Sequence, residues 1–148
     1  MKVRLEVSSS CYEQIKRDLE ACGIEVDDNA EYVLSQNNTY TEYLVGKREE
    51  STIHVAVEDI VFIETLGHDV MIYTEEGAYK SSARLWQLEK SLDPECFVRI
   101  SNSTIIAKNR VKRIKVALSQ KFTLTLSNGK LVDVTRTYYY AFKEKFGL

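Results

Sequence analysis

The sequence is poor in the residues most chemistries need. Histidine occurs twice, at His54 and His68, and cysteine three times, at Cys11, Cys22 and Cys96, never in a CxxC spacing. A structural zinc site usually takes four clustered ligands. No metal centre is therefore expected, and the cysteines read as reduced thiols, some packed as small apolar side chains. GxSxG, Walker and HExxH patterns are absent, and the two histidines lie in separate segments. Catalysis needs a nucleophile or base tuned by its neighbours, so no enzyme, cofactor or small-molecule substrate is expected. A single proline, no internal repeat and no low-complexity segment exclude a long flexible linker. No apolar run approaches the roughly 18 residues of a membrane-spanning helix, and no apolar stretch follows Lys2 and Arg4 as in a signal peptide. The expected location is the cytoplasm. A chain of 148 residues makes one domain with a real core, or a domain with a small appendage.

Charge is present but unevenly spread. From residue 97 to the last, 11 lysines and arginines face only Asp133 and Glu144, a net of +9. The first 96 residues hold 9 basic and 20 acidic residues, a net of −11. A basic third in a nearly neutral chain suits a polyanion-binding face. Internal neutralisation of one half by the other is the competing reading.

Short alternating runs dominate the rest. Residues 2–7, KVRLEV, place Val3, Leu5 and Val7 on one side of a strand. Ser10 and Glu13 stand at capping-box spacing before Tyr12, Ile15, Leu19 and Cys22, an amphipathic helix that Gly23 ends. Strand-like pieces at 32–34 and 43–45, with Asn37-Asn38 between them, complete a small β-α-β-β unit over 1–50. The second part, 51–148, begins with strands at 52–57 and 60–64. After the turn Leu66-Gly67-His68-Asp69, a hairpin joins 70–74 to 78–82. Leu85, Leu88 and Leu92 make a helical stripe that stops before Pro94, and Trp86 is expected to pack. Strands at 111–116, 121–126 and 130–134 follow, the last two around Asn128-Gly129. A helix over 136–146 turns Tyr139, Phe142 and Phe146 to one side, with Thr135 as its N-cap.

The stretch that organises the chain is 97–107, FVRISNSTIIA. Alternation puts Phe97 in and Val98 out, and the polar patch Ser101-Asn102-Ser103-Thr104 forms a hydrogen-bonding turn between two strands. Loops held by flanking strands are where recognition residues tend to sit. Asn and Arg side chains can read base edges, and lysines and arginines on flanking turns can hold phosphates. A helix-turn-helix signal is missing: residues 85–92 carry Lys90 but also Glu89, and Asp93 follows, which makes a poor recognition helix. An RNA-binding reading fails on the lack of a legible aromatic stacking pair.

Three segments then carry a family resemblance: DIVFIE (59–64), RLWQLEKSLDPECFVRISNSTIIA (84–107) and LTLSNGKLVDVTRTYYYAFKEKF (124–146). In this order, over roughly 97 residues, they resemble the LytTR family of bacterial DNA-binding domains. The resemblance implies a mainly β (α+β) fold with short helices, in an elongated arrangement of small antiparallel sheets. It implies loops rather than a helix in the major groove of double-stranded DNA, paired direct-repeat sites and hence a homodimer. Carried over by position, base reading falls to His68, Asn102 and Arg136, and phosphate contact to Lys80, Ser81, Arg99, Ser103 and Lys108. This chain has Ser101-Asn102-Ser103 where the family often reads histidine-arginine-serine, and Ala107 where it often has asparagine. A phosphoreceiver, common in the family, is not expected here, so regulation is expected from 1–50, as a regulatory or dimerisation unit, or from a partner such as a membrane-bound inhibitor protein. The alternative from another class is a protein-protein interaction module that uses the basic face.

Overall fold

A computed structural model of the chain describes residues 1–36 and 40–148. The expected separator Asn37-Asn38 lies outside the described residues. The chain divides into two compact units, Met1–Thr39 and Tyr40–Leu148.

The first unit contains β1 (Lys2–Glu6), α1 (Ser9–Ala21), β2 (Glu25–Val26) and β3 (Tyr32–Ser35). Its sheet runs β2-β1-β3 with both pairs parallel. Parallel strands need a crossover, and α1 supplies the one from β1 to β2. The alternation of the first strand is realised as buried Val3 and Leu5. Ser10 is not the cap. It already lies inside α1, which starts after Ser8, and the Ser8 hydroxyl meets Ser10 Oγ at 3.1 Å and Cys11 Sγ at 2.9 Å instead of a backbone N–H.

The second unit contains β4 (Tyr43–Arg48), β5 (Ser51–Ala56), β6 (Ile60–Leu66), β7 (Asp69–Thr74), β8 (Gly77–Ser81), α2 (Leu85–Ser91), β9 (Phe97–Arg99), β10 (Thr104–Ala107), β11 (Val111–Ala117), β12 (Lys121–Leu126), β13 (Leu131–Val134) and α3 (Tyr139–Lys145). Seven strands form one sheet in the order β5-β4-β8-β7-β6-β10-β9, and β11-β12-β13 form a second. Every pair in both sheets is antiparallel. The described residues are thus mostly β with three short α-helices.

The segment at 43–45, counted with the N-terminal unit on alternation alone, pairs instead with β5 and β8. The contact boundary accordingly falls between Thr39 and Tyr40, not after residue 50. Gly46 shows why β4 fits there: a Cβ at this position would sit 2.7 Å from the Cβ of Tyr79. The β4–β5 turn is Glu49-Glu50, with φ of 49° and 63°. Both values belong to the type I′ turn, which normally carries Asn-Gly. Replacing Glu49-Glu50 with Asn-Gly is expected to raise stability by roughly 1–2 kcal/mol, the cost of left-handed backbone in two side-chain-bearing residues. A urea midpoint that did not rise would count against it.

Two apolar clusters fill the second unit. One lies beneath α2 and takes Leu85, Leu88, Leu92, Ile63, Ile72 and Phe97. The other lies between the large sheet and the small one with α3, and takes Phe62, Val98, Ile106, Leu124 and Phe142. The large sheet is therefore apolar on both faces around β6 and β10. This corrects the expectation for Val98: its face meets the second cluster rather than water. Trp86 is also corrected. It is 55% exposed beside the ammonium of Lys90, 5.7 Å from the ring centroid, because Leu85 and Leu88 take the inward positions of α2.

Among the described residues, no helix is long and apolar enough to cross a membrane.

Candidate functional site

The central loop is the point at which three distant segments meet. Strands β6 and β10 are neighbours, with Glu64 opposite Thr104. The loop closes on itself through the Ile100 N–H, which donates to the Thr104 carbonyl at 3.0 Å. The Thr65 N–H donates to the Ser103 carbonyl at 2.8 Å, tying the loop to the end of β6. On its other side the Thr135 N–H donates to the Ile100 carbonyl at 3.0 Å, tying it to the segment that follows β13. The Thr135 hydroxyl reaches the same carbonyl at 3.4 Å rather than capping a helix. The β6–β7 turn, the loop over 100–104 and the β13–α3 junction thus share one end of the sheet.

Each of these turns carries one of the expected base-reading residues, and all three are exposed. His68 is the second residue of a two-residue turn, with Leu66 opposite Asp69. Gly67 precedes it with φ 61°, as the first central position of a type II′ turn requires. Asn102 sits at the tip of the central loop, and its Oδ1 accepts the Tyr138 hydroxyl at 3.2 Å. That bond uses one lone pair of the amide oxygen and leaves another, with Nδ2, for an outside partner. Arg136 opens a 3₁₀ turn, Arg136–Tyr138, one residue after the Thr135 anchor.

The residues expected to hold phosphates separate into distinct situations. Lys80 is exposed, with its ammonium 3.0 Å from Asp69, the residue after His68. Ser103 is half-buried, with its hydroxyl 3.3 Å from Ser101 Oγ and 3.4 Å from Thr104 Oγ1. Ser81 is turned inward: it is 6% exposed and its Oγ accepts the Ala83 N–H. Lys108 lies past the far end of β10, about 13 Å from Thr104 at the usual strand rise. Its ammonium stands 5.5 Å from the Phe146 ring centroid.

Arg99 is engaged within the protein. Its Nε donates to the Ser101 carbonyl at 2.7 Å, its Nη2 to the Asn102 carbonyl at 2.6 Å and its Nη1 to Glu89 Oε2 at 2.6 Å. Its guanidinium also lies 6.0 Å from the Tyr138 ring centroid. One planar fork thus fixes two successive loop carbonyls, and Glu89 on α2 fixes the fork. On this geometry Arg99 shapes the loop rather than presenting a free cation.

Glu89 and Tyr138 are the supports that sequence reading missed, and Thr135, expected as a helix cap, ties the loop instead. From local pattern Glu89 is only a charge unsuited to a recognition helix. Tyr138 stands 36 positions from Asn102, and no local spacing signals such a pair.

Known proteins show similar features. The family model described as the LytTr DNA-binding domain matches residues 50–147. The sensory transduction protein LytT of Enterococcus faecalis is 25% identical over 136 residues, covering 92% of this chain and 56% of that protein. The transcriptional regulatory protein LytR of Staphylococcus aureus is 26% identical over 137 residues, with 92% and 56% covered. LytT of Bacillus anthracis is 32% identical over 90 residues, 61% of this chain and 37% of that protein. The chain spans about half the length of the curated relatives LytT of Enterococcus faecalis and LytR of Staphylococcus aureus. A solved LytTr DNA-binding domain from Bacillus cereus superposes with a TM-score of 0.70 at 23% identity, over 73% of this chain and 99% of that one.

Proposed function

This chain belongs to the LytTR family of DNA-binding domains, and from that premise we propose that its three converging turns enter the major groove of double-stranded DNA and read sequence there. The observation that carries the reading is the hydrogen-bonded junction of Thr65 with Ser103 and of Thr135 with Ile100. It gathers exposed His68, Asn102 and Arg136 at one end of a rigid sheet. Arg136 suits the O6 and N7 acceptors of guanine, and Asn102 suits the N6 and N7 of adenine. A ring nitrogen of His68 can donate to a base acceptor. Lys80 and Ser103 lie beside the turns and contact flanking phosphates. Lys108 reaches a phosphate only farther along the duplex.

In this reading the protein is a bacterial transcriptional regulator in the cytoplasm. It acts as a homodimer on direct-repeat sites, with the N-terminal unit serving regulation or dimerisation. A membrane-bound inhibitor protein is a partner of the kind such a regulator would have.

The test is selection of preferred duplexes from a random pool, followed by titration of the winner and a scrambled control at two salt concentrations. With about four phosphates neutralised, affinity should fall about 100-fold between 50 and 200 mM salt. Arg136→Ala is expected to cost about 1–3 kcal/mol on the selected duplex and to relax a single base position. Equal loss on every sequence would reduce Arg136 to a phosphate contact. Weak binding blind to sequence would favour the protein-interaction module instead.

A further inference from the structure

We propose that β3 is a self-association edge, which pairs antiparallel with β3 of a second copy of this chain. The inference gives a place to the homodimer but does not rest on DNA recognition. Among the described residues β3 has a neighbour on one side alone, since the sheet order is β2-β1-β3. The Gln36 N–H donates to the Glu6 carbonyl at 3.1 Å. Backbone groups alternate along a strand, so Tyr32, Leu34 and Gln36 address β1, while the N–H and C=O of Val33 and Ser35 point to the open side.

Natural edge strands are commonly blunted by lysine, proline, a bulge or a covering loop. Among the described residues β3 has none of these: Tyr-Val-Leu-Ser is uncharged, free of proline and exposed at every position. Two identical neutral strands bring no like charges together.

The apolar face tells the same story. Val3 is in register with Tyr32 and Leu5 with Leu34, so all four side chains share one face of the sheet. Val3 and Leu5 are buried, yet Tyr32 remains 62% exposed and Leu34 36%. α1 buries none of its own residues. Among the described residues, Val3 and Leu5 are the only buried hydrophobic side chains of this unit. Units this small usually need a staple or an oligomer to be stable. A second copy joined at β3 would extend the sheet from three strands to six and make the two apolar faces continuous.

Two-fold symmetry fixes the register. Antiparallel pairing must match outward groups with outward groups. Centring the axis on Leu34 sets Val33 against Ser35 of the copy, so both open residues of each strand bond. Leu34 then faces its own equivalent at a non-hydrogen-bonded position, where Cα atoms approach to about 4.5 Å, within reach of a disulfide.

Two variants of the full chain test this. Val33→Pro removes an outward N–H and leaves the β1–β3 ladder intact. By analytical ultracentrifugation it should weaken dimerisation at least about tenfold, with affinity for a single-repeat duplex unchanged. Leu34→Cys, in a background with Cys11, Cys22 and Cys96 changed to serine, should oxidise to a covalent dimer, whereas Val33→Cys in the same background should not. A wild-type chain that stays monomeric at its solubility limit would overturn the proposal. So would an undiminished Val33→Pro dimer, or cross-linking no faster at position 34 than at 33. None of these outcomes bears on the choice of DNA sequence, so the two readings fail separately.

Discussion

Replacing Phe142 with alanine should cost about 3–5 kcal/mol, the range for emptying a fully buried aromatic site. Phe142 is the fully buried residue of α3, at 0% exposure. Its ring lies 4.3 Å from that of Phe146 and 5.2 Å from that of Phe122, centroid to centroid. Phe122 in turn stacks on Tyr139 at 4.8 Å. These rings fasten α3 to the small sheet, and α3 continues directly from the 3₁₀ turn that carries Arg136. A cavity here is therefore felt at the recognition surface. Since whole-domain stability is typically 5–15 kcal/mol, the variant should show a sharply lowered urea midpoint and weaker DNA binding together. Phe142→Leu, which keeps much of the volume, should retain most of both. An alanine variant within about 1 kcal/mol of wild type would mean that α3 contributes little to the core.

The second large effect is expected at Arg99. Its alanine variant should lose about 2 kcal/mol of stability, since hydrogen bonds from a charged donor contribute roughly 1.5–3 kcal/mol each and water recovers part of that. Affinity for the selected duplex should fall at least about tenfold, equivalent to about 1.4 kcal/mol. The informative variant is Arg99→Lys. An ammonium cannot span the Ser101 and Asn102 carbonyls and Glu89 as a planar fork does, so lysine should fail to restore specificity. Weak binding to scrambled DNA should survive, and the salt slope on the selected duplex should stay the same. A direct phosphate contact predicts the opposite pattern: lysine rescues, and alanine lowers binding to all sequences and reduces the salt slope by about one. That pattern would return Arg99 to the surface role first expected of it.

Several features of this chain could be read from local pattern because they depend on local forces. The strands expected at residues 60–64, 70–74 and 121–126 reappear as β6, β7 and β12. The helical stripe of Leu85 and Leu88 is realised in α2. The turns bearing His68, Asn102 and Arg136 sit between strands or at a strand–helix junction, as expected. What could not be read depends on tertiary contact. β4 finds its place through Gly46 against Tyr79, a relation no window of sequence contains. Glu49-Glu50 adopts an Asn-Gly conformation without Asn-Gly residues. Val98 looks like the outward residue of a half-buried strand until a second sheet covers it. Ser81 and Arg99 have the side chains of phosphate ligands but spend their polar atoms inside the protein. Residue type limits what a side chain can contact, and its packing decides whether it is free to do so.

The joints between residues 65 and 103 and between 100 and 135 also govern when the surface comes into being. Their partners lie 38 and 35 positions apart, so no stretch of nascent polypeptide can assemble the recognition end piecemeal. Pairings of that separation close late and favour folding in milliseconds to seconds rather than microseconds. A ribosome that has released the chain only as far as Val134 has exposed two of the three turns and neither the Arg136 side chain nor the aromatic clasp of α3. Competence to engage a duplex should therefore arise abruptly, once residues 135–148 have emerged. A truncation before them should be inert even though most of the strands are already synthesised.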